Sequence, residues 1–203
     1  MKTIRKLTTR AAKWLLLLGL ALSTTACLVQ SLHPLSTEKD VVFEPALVGT
    51  WVGMGKAEGD KSTIIFQKAE GQTYKVIYHP KDPKEGEPRE FEGHMVRLGK
   101  FLFLDTFPAP ADAPTTNNLM YAIHILETHQ IFRIQLDGDV LRVSMLEPKK
   151  FDKAKIRHEA FGKPQAFLLT APTNELQEFV LKHAEDAFTD VGEWHRQKEG
   201  DIR

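Results

Sequence analysis

Cysteine is nearly absent: Cys27 is the only one among 203 residues. An internal disulfide is therefore impossible, and a thiolate-rich metal site is excluded with it. The histidines do not fill the gap. His33, His79, His94, His124, His129, His158, His183 and His195 are scattered, with no His-x-His and no His-Glu-x-x-His. Local zinc motifs need two ligands within one turn or hairpin. His124 and His129 approach each other only across a turn between two strands, where surface hairpin histidines are the simpler reading. A Gly-x-Ser-x-Gly elbow is missing, and so is a glycine-rich phosphate loop. Glu90 and Glu92 share a strand face, but an acidic face turned to solvent accounts for them without a paired-carboxylate mechanism. The sequence thus offers no catalytic residue, no metal set and no call for a cofactor, and the expectation is a non-enzymatic protein.

Positive charge is not in excess either. The chain has 27 basic and 27 acidic residues, and the five basic residues ahead of Cys27 leave 22 against 27, a net charge of −5, for the remainder. Phosphate binding calls for clustered Lys and Arg, so nucleic acid is not an expected partner. Adhesion to anionic lipid by a polybasic patch is disfavoured for the same reason. Long apolar runs are also lacking: Trp14 to Leu22 falls well short of the roughly 20 residues that span a bilayer.

What is present begins with that short run. Lys2, Arg5, Lys6, Arg10 and Lys13 precede it and the small residues Ser23-Thr-Thr-Ala26 follow, the three parts of a secretory signal peptide. One possibility is an ordinary signal peptide cut near Ala26, leaving Cys27 as a free buried thiol. With Cys27 at the cleavage point, however, the segment resembles a bacterial lipoprotein signal. That resemblance implies that Cys27 becomes the first mature residue and carries several acyl chains of the palmitate type. Stable attachment takes more than one such chain. Leu28 stands where enterobacterial lipoproteins retained in the inner membrane carry Asp, so the resemblance points to the outer membrane, facing the periplasm. The organisation that follows is a signal at 1–26, a tether at 27–45, a single β-rich domain at 46–190 and a tail at 191–203.

From Leu47 onward, short runs rich in β-branched and aromatic residues alternate with Gly, Pro, Asn and Asp, the pattern of an antiparallel β domain. The predicted strands are 47–55, 62–68, 73–79, 89–98, 101–106, 119–127, 130–136 and 139–146. Asp137-Gly138 predicts a tight hairpin, because that pair accepts positive φ. Glu70-Gly71 and Gly99-Lys100 mark two further turns. Successive strands then become neighbours in an up-and-down barrel or curved sheet. Phe66, Tyr74, Val76, Phe101, Phe103, Ile123, Ile125 and Leu141 are the expected core side. Pro148 to Arg157 is expected to hold a short helix and 166–170 a further strand. Leu176, Phe179, Val180, His183 and Ala187 recur at helical spacing behind Thr173 as N-cap, predicting a C-terminal helix over 173–187 packed on the sheet.

Gly49-Thr-Trp51 at the first strand resembles the Gly-x-Trp signature of lipocalins. The resemblance implies an eight-stranded barrel closed at one end by Trp51, with an arginine of the last barrel strand over its ring. Arg142 is the expected arginine. A wider likeness runs through Ser31, Ser36-Thr-Glu-Lys-Asp40, Phe43 to Trp51, Leu102-Phe-Leu-Asp105, Leu168 to Thr173 and Glu175-Leu-Gln177, which resembles a family of small bacterial lipoproteins with no known activity. The family likeness leaves function open, and the first expectation is a lipid-anchored binding module for a small apolar ligand or lipid. The alternative is a structural or interaction protein of the envelope, with a filled core and partner-binding loops at 81–88 and 108–118.

Overall fold

Alternating apolar and polar side chains set the strands of the protein, in a computed structural model that describes residues 29–53, 61–82, 86–109, 126–148, 156–161 and 166–198. In chain order these are β1 (Val29–Ser31), a 3-10 turn (Pro45–Leu47), β2 (Gly49–Gly53), β3 (Thr63–Lys68), β4 (Thr73–His79), β5 (Arg89–Leu98), β6 (Phe101–Pro108), β7 (Gln130–Asp137), β8 (Val140–Leu146), β9 (His158–Phe161), β10 (Ala166–Leu169), α1 (Thr173–Lys182) and β11 (Phe188–Arg196).

The fold is mainly β: a closed antiparallel barrel of eight strands with a helix near the C-terminus. Strands β2 to β8 pair each with the next, and β11 closes the circle between β8 and β2. The hairpin between β7 and β8 turns at Gly138, whose φ of 57° falls in the left-handed region that glycine enters without cost. A small second sheet lies outside the barrel, with β1 parallel to β10 and β10 antiparallel to β9.

Two apolar cores share the barrel wall. The interior holds Trp51, Phe66, Tyr74, Val76, Met95, Leu104, Ile134, Leu141, Val143 and Trp194. An eight-stranded barrel is just wide enough to be filled by its own side chains. The second core lies on the outer face, where Val96, Leu98, Phe103, Ile131, Leu146 and Phe188 meet Val29, Leu35 and the Leu176, Phe179 and Val180 stripe of α1. This explains the unbroken Phe101-Leu-Phe-Leu104: β6 is covered on both faces, so apolar residues occupy successive positions.

The differences from expectation have local causes. Phe101 and Phe103 belong to the outer core, while Phe66, Tyr74, Val76 and Leu141 face the interior as expected. Ile123, Ile125, nearly all of the 119–127 strand, most of the short helix expected over 148–157 and most of the loop at 108–118 lie outside the described residues. The barrel needs no strand from 119–127, because β6 pairs directly with β7. The position of eighth strand belongs to β11, which takes up residues assigned to the 191–203 tail. The helix spans Thr173–Lys182 rather than 173–187, and Thr173 is its first residue rather than its cap. The Thr173 hydroxyl instead donates to the Pro34 carbonyl at 2.8 Å.

That last contact shows what 27–45 does. Its described part is a strap rather than a loose tether. Val29 and Leu35 are buried in the outer core, Gln177 donates to the Leu35 carbonyl at 2.9 Å, and Val42 N–H donates to the Met95 carbonyl at 2.8 Å. The Thr37 hydroxyl and the Gln177 amide both donate to Asp40, holding its carboxylate below the usual aspartate range.

Candidate functional site

The two ends of the barrel are built differently. At the end where β2 starts and β11 finishes, the strap crosses the opening. Trp51 Nε1 donates to the Leu47 carbonyl at 2.8 Å, and both residues are fully buried. Phe43 stacks on Tyr74 with centroids 5.0 Å apart, and the Tyr74 hydroxyl accepts from Glu44 N–H at 2.6 Å and donates to the Glu44 carbonyl at 3.1 Å. Burial pushes the Tyr74 phenol above its ordinary pKa.

The arginine over the tryptophan is Arg196, not Arg142. The Arg196 guanidinium lies 4.2 Å from the Trp51 ring centroid, donates to the Val48 carbonyl at 2.8 Å and also reaches the Ala46 carbonyl. Gly49 makes room for it: a Cβ there would come within 2.7 Å of Arg196 Nη1, and its φ of 139° is one that side chains rarely adopt. Register accounts for the exchange. Arg196 pairs with Trp51 across β11 and β2 and shares its inward face, whereas Arg142 pairs with Glu193 on the outer face, 2.9 Å away in a solvent-exposed contact. Gly49 and Trp51 thus lie together at the closed end, and the cation over the ring comes from β11 rather than β8.

These two arginines separate in a stability measurement. Arg196→Met loses a cation over an indole and two charged hydrogen bonds to carbonyls, and should cost about 2 kcal/mol in urea unfolding. Arg142→Met breaks an exposed pair and should cost less than about 0.5 kcal/mol.

At the opposite end, whose connections at 54–60, 83–85, 110–125 and 149–155 lie outside the described residues, several inward-facing side chains are large, apolar and only partly covered. Ile64, Phe91, Phe132 and Met145 are half-buried, and Tyr78 is 36% exposed. At the same end, Trp194 Nε1 donates to Ser62 Oγ at 3.2 Å. Thr106 and Gln130 pair across β6 and β7 on the inward face, and the Thr106 hydroxyl donates to the Gln130 carbonyl at 3.4 Å. The Gln130 Nε2 is buried without a hydrogen-bond partner among the described residues. No local pattern announces this residue. The only sign is a glutamine at the head of a strand whose later inward positions, Phe132, Ile134 and Leu136, are all apolar.

Immediately behind Thr106 and Gln130, on the outer face, sits a buried carboxylate. Asp105 is fully buried; its Oδ2 accepts Leu35 N–H at 2.8 Å and its Oδ1 lies 2.8 Å from His129 Nδ1. His129, expected on a surface hairpin, is thus mostly covered and tied to the wall, because β1 and the strap pack over the start of β7. His124 lies outside the described residues. Phe107 lies between two imidazoles, 5.2 Å from His129 and 5.5 Å from His94, and Ser36 Oγ is 3.1 Å from His94 Nδ1. Among the described residues no group of three or more His, Cys, Asp or Glu side chains is placed to hold a metal ion. Glu90 pairs with Lys75 at 2.7 Å, on the outer wall. Cys27 lies outside the described residues.

Comparison with protein-family models, with curated proteins and with solved structures gives no match.

Proposed function

We propose that this chain is a lipid-anchored protein of the bacterial envelope whose barrel takes a small apolar ligand at the mouth opposite Trp51. One observation carries the ligand reading: among the described residues, the two ends of the same barrel are finished differently. One is shut by Trp51, Phe43, Leu47 and Arg196. The other presents Ile64, Phe91, Phe132, Met145 and Tyr78 inward with part of their surface uncovered. Apolar side chains converging on a few polar groups are what small-molecule sites are made of. A through-going lumen is not part of the proposal, because Trp51, Phe66, Tyr74, Met95 and Leu141 fill the middle.

That filling also favours the second reading, a solid barrel that serves as an interaction protein. Native mass spectrometry of detergent-free protein separates the two. Binding predicts a retained or added apolar molecule, whereas a ligand-free spectrum with no lipid in solvent extracts favours the interaction reading.

Anchoring rests on the signal-like segment and Cys27. Only Leu28 separates Cys27 from β1, a reach of about 7 Å. An acylated Cys27 holds the barrel flank at the bilayer surface instead of trailing it on a long tether. Replacing Cys27 with Ser should move the protein from the membrane to the soluble fraction on cell fractionation, and continued tight membrane association of the variant rules the anchor out.

A further inference from the structure

The mouth contains one group whose chemistry is unspent. Gln130 opens β7 facing into the barrel, and its amide nitrogen is buried with no acceptor among the described residues, while its neighbours on that face are Thr106 on β6 and Phe132 two residues along. A buried donor without a partner is disfavoured, and such groups in folded proteins call for an explanation of their own. The surroundings restrict what can satisfy it. Among the described residues, the inward-facing side chains nearest in register are Thr106, Phe132 and, beyond Gly93 on β5, Phe91; the charged residues on that face are Glu147, which follows Met145 and accepts from the Thr189 hydroxyl at 3.2 Å, and Arg89, exposed at the rim. A carboxylate brought to the depth of Gln130 would lack a counter-charge there, at a large desolvation cost. A neutral carbonyl would not. We infer that Gln130 Nε2 donates to a neutral ester or amide carbonyl of an acyl-chain ligand whose apolar body lies against Ile64, Phe91, Phe132 and Met145.

This inference rests on the ligand-binding reading of the mouth and gives it a chemical class. The polar contact is held firmly from behind. Gln130 follows His129, which is fixed to the buried Asp105, so the start of β7 is anchored on the outer wall while the amide points inward. The donor is therefore preorganised for an acceptor at one depth, which lowers the ordering cost of binding.

The test uses the full chain carrying Cys27→Ser, purified without detergent, with N-phenyl-1-naphthylamine as fluorescent probe and methyl laurate, lauric acid and dodecane as competitors. The wild-type barrel should bind the probe, and methyl laurate should displace it about tenfold more effectively than dodecane, the worth of one well-placed hydrogen bond. In Gln130→Met, which keeps the length and removes the donor, the ester-to-hydrocarbon ratio should fall to near one. Gln130→Met should also raise the melting temperature of the ligand-free protein, since it removes an unsatisfied buried amide; this second readout does not depend on any ligand. A variant that keeps the ester preference overturns the role of Gln130, as does a lowered melting temperature, which would mean that the amide already has a partner. Lauric acid outcompeting methyl laurate overturns the neutral carbonyl. If the probe and all three competitors fail to bind the wild-type barrel, it is the ligand-binding reading itself that falls.

Discussion

Trp51→Ala should lower the unfolding free energy by about 3–5 kcal/mol, the range for removing a large aromatic side chain from a packed core. Three separate losses place it at the upper end. The indole is fully buried, so its removal leaves a cavity that the rigid barrel wall cannot collapse to fill. The Leu47 carbonyl loses the indole N–H that it accepts at 2.8 Å. Arg196 loses the ring beneath it, 4.2 Å away, and is left stacked over a void. Urea unfolding followed by far-ultraviolet circular dichroism reads the change as a shift in midpoint with an unchanged slope. Trp51→Phe, which retains most of the volume but not the N–H, should recover more than half of the loss. A cost below about 1 kcal/mol for Trp51→Ala would mean that the strap, rather than the tryptophan, closes this end.

The barrel was legible in the sequence wherever one strand face is wet and the turns carry glycine. β3, β4, β5, β7 and β8 start and end within about a residue of the expected positions, because alternation and the turns at Gly71, Gly99 and Gly138 leave little freedom. β11 was not legible, for a definite reason. A bulge between Asp190 and Gly192 reverses the face of the strand partway along, so Phe188 faces the outer core and Trp194 the interior although both stand at even positions. Its other inward residues, Thr189 and Gly192, carry no apolar signal. Once the last strand is taken from the tail, the arginine paired with Trp51 follows from register, and Arg142 falls to the outside. The strap hid for a different reason. It buries Val29 and Leu35 singly and holds itself by contacts to Asp105, Gln177 and Met95 that are distant in sequence, so no local period records its burial. The pocket donor was harder still. One glutamine in a strand looks like any polar strand residue until register shows which way it faces.

Asp105 carries the second large effect, and it was marked in the sequence only as a charge inside the apolar run Phe101 to Phe107. Asp105→Ala should cost about 3 kcal/mol, most of it from what is left behind. The Leu35 amide loses its acceptor at 2.8 Å under the strap, and His129 loses the carboxylate that fixes its ring at 2.8 Å. Both partners are largely shut off from water, so neither loss is offset by hydration as it is at the exposed Lys100–Glu185 pair, also 2.8 Å long, where solvent screening leaves little at stake. Asp105→Asn should cost less, because one amide oxygen still accepts from Leu35. His129→Ala should also cost less than Asp105→Ala, as the carboxylate keeps Leu35 N–H. The location of the damage is as diagnostic as its size. In hydrogen exchange on Asp105→Ala, the Leu35 amide should lose its protection first, while Leu141, fully buried in the barrel interior, should weaken only with global stability. Uniform loss at both amides would show that Asp105 supports the barrel as a whole. Selective loss at Leu35 would identify Asp105 as the latch of the strap, the element that carries the chain from β1 to the closed end of the barrel.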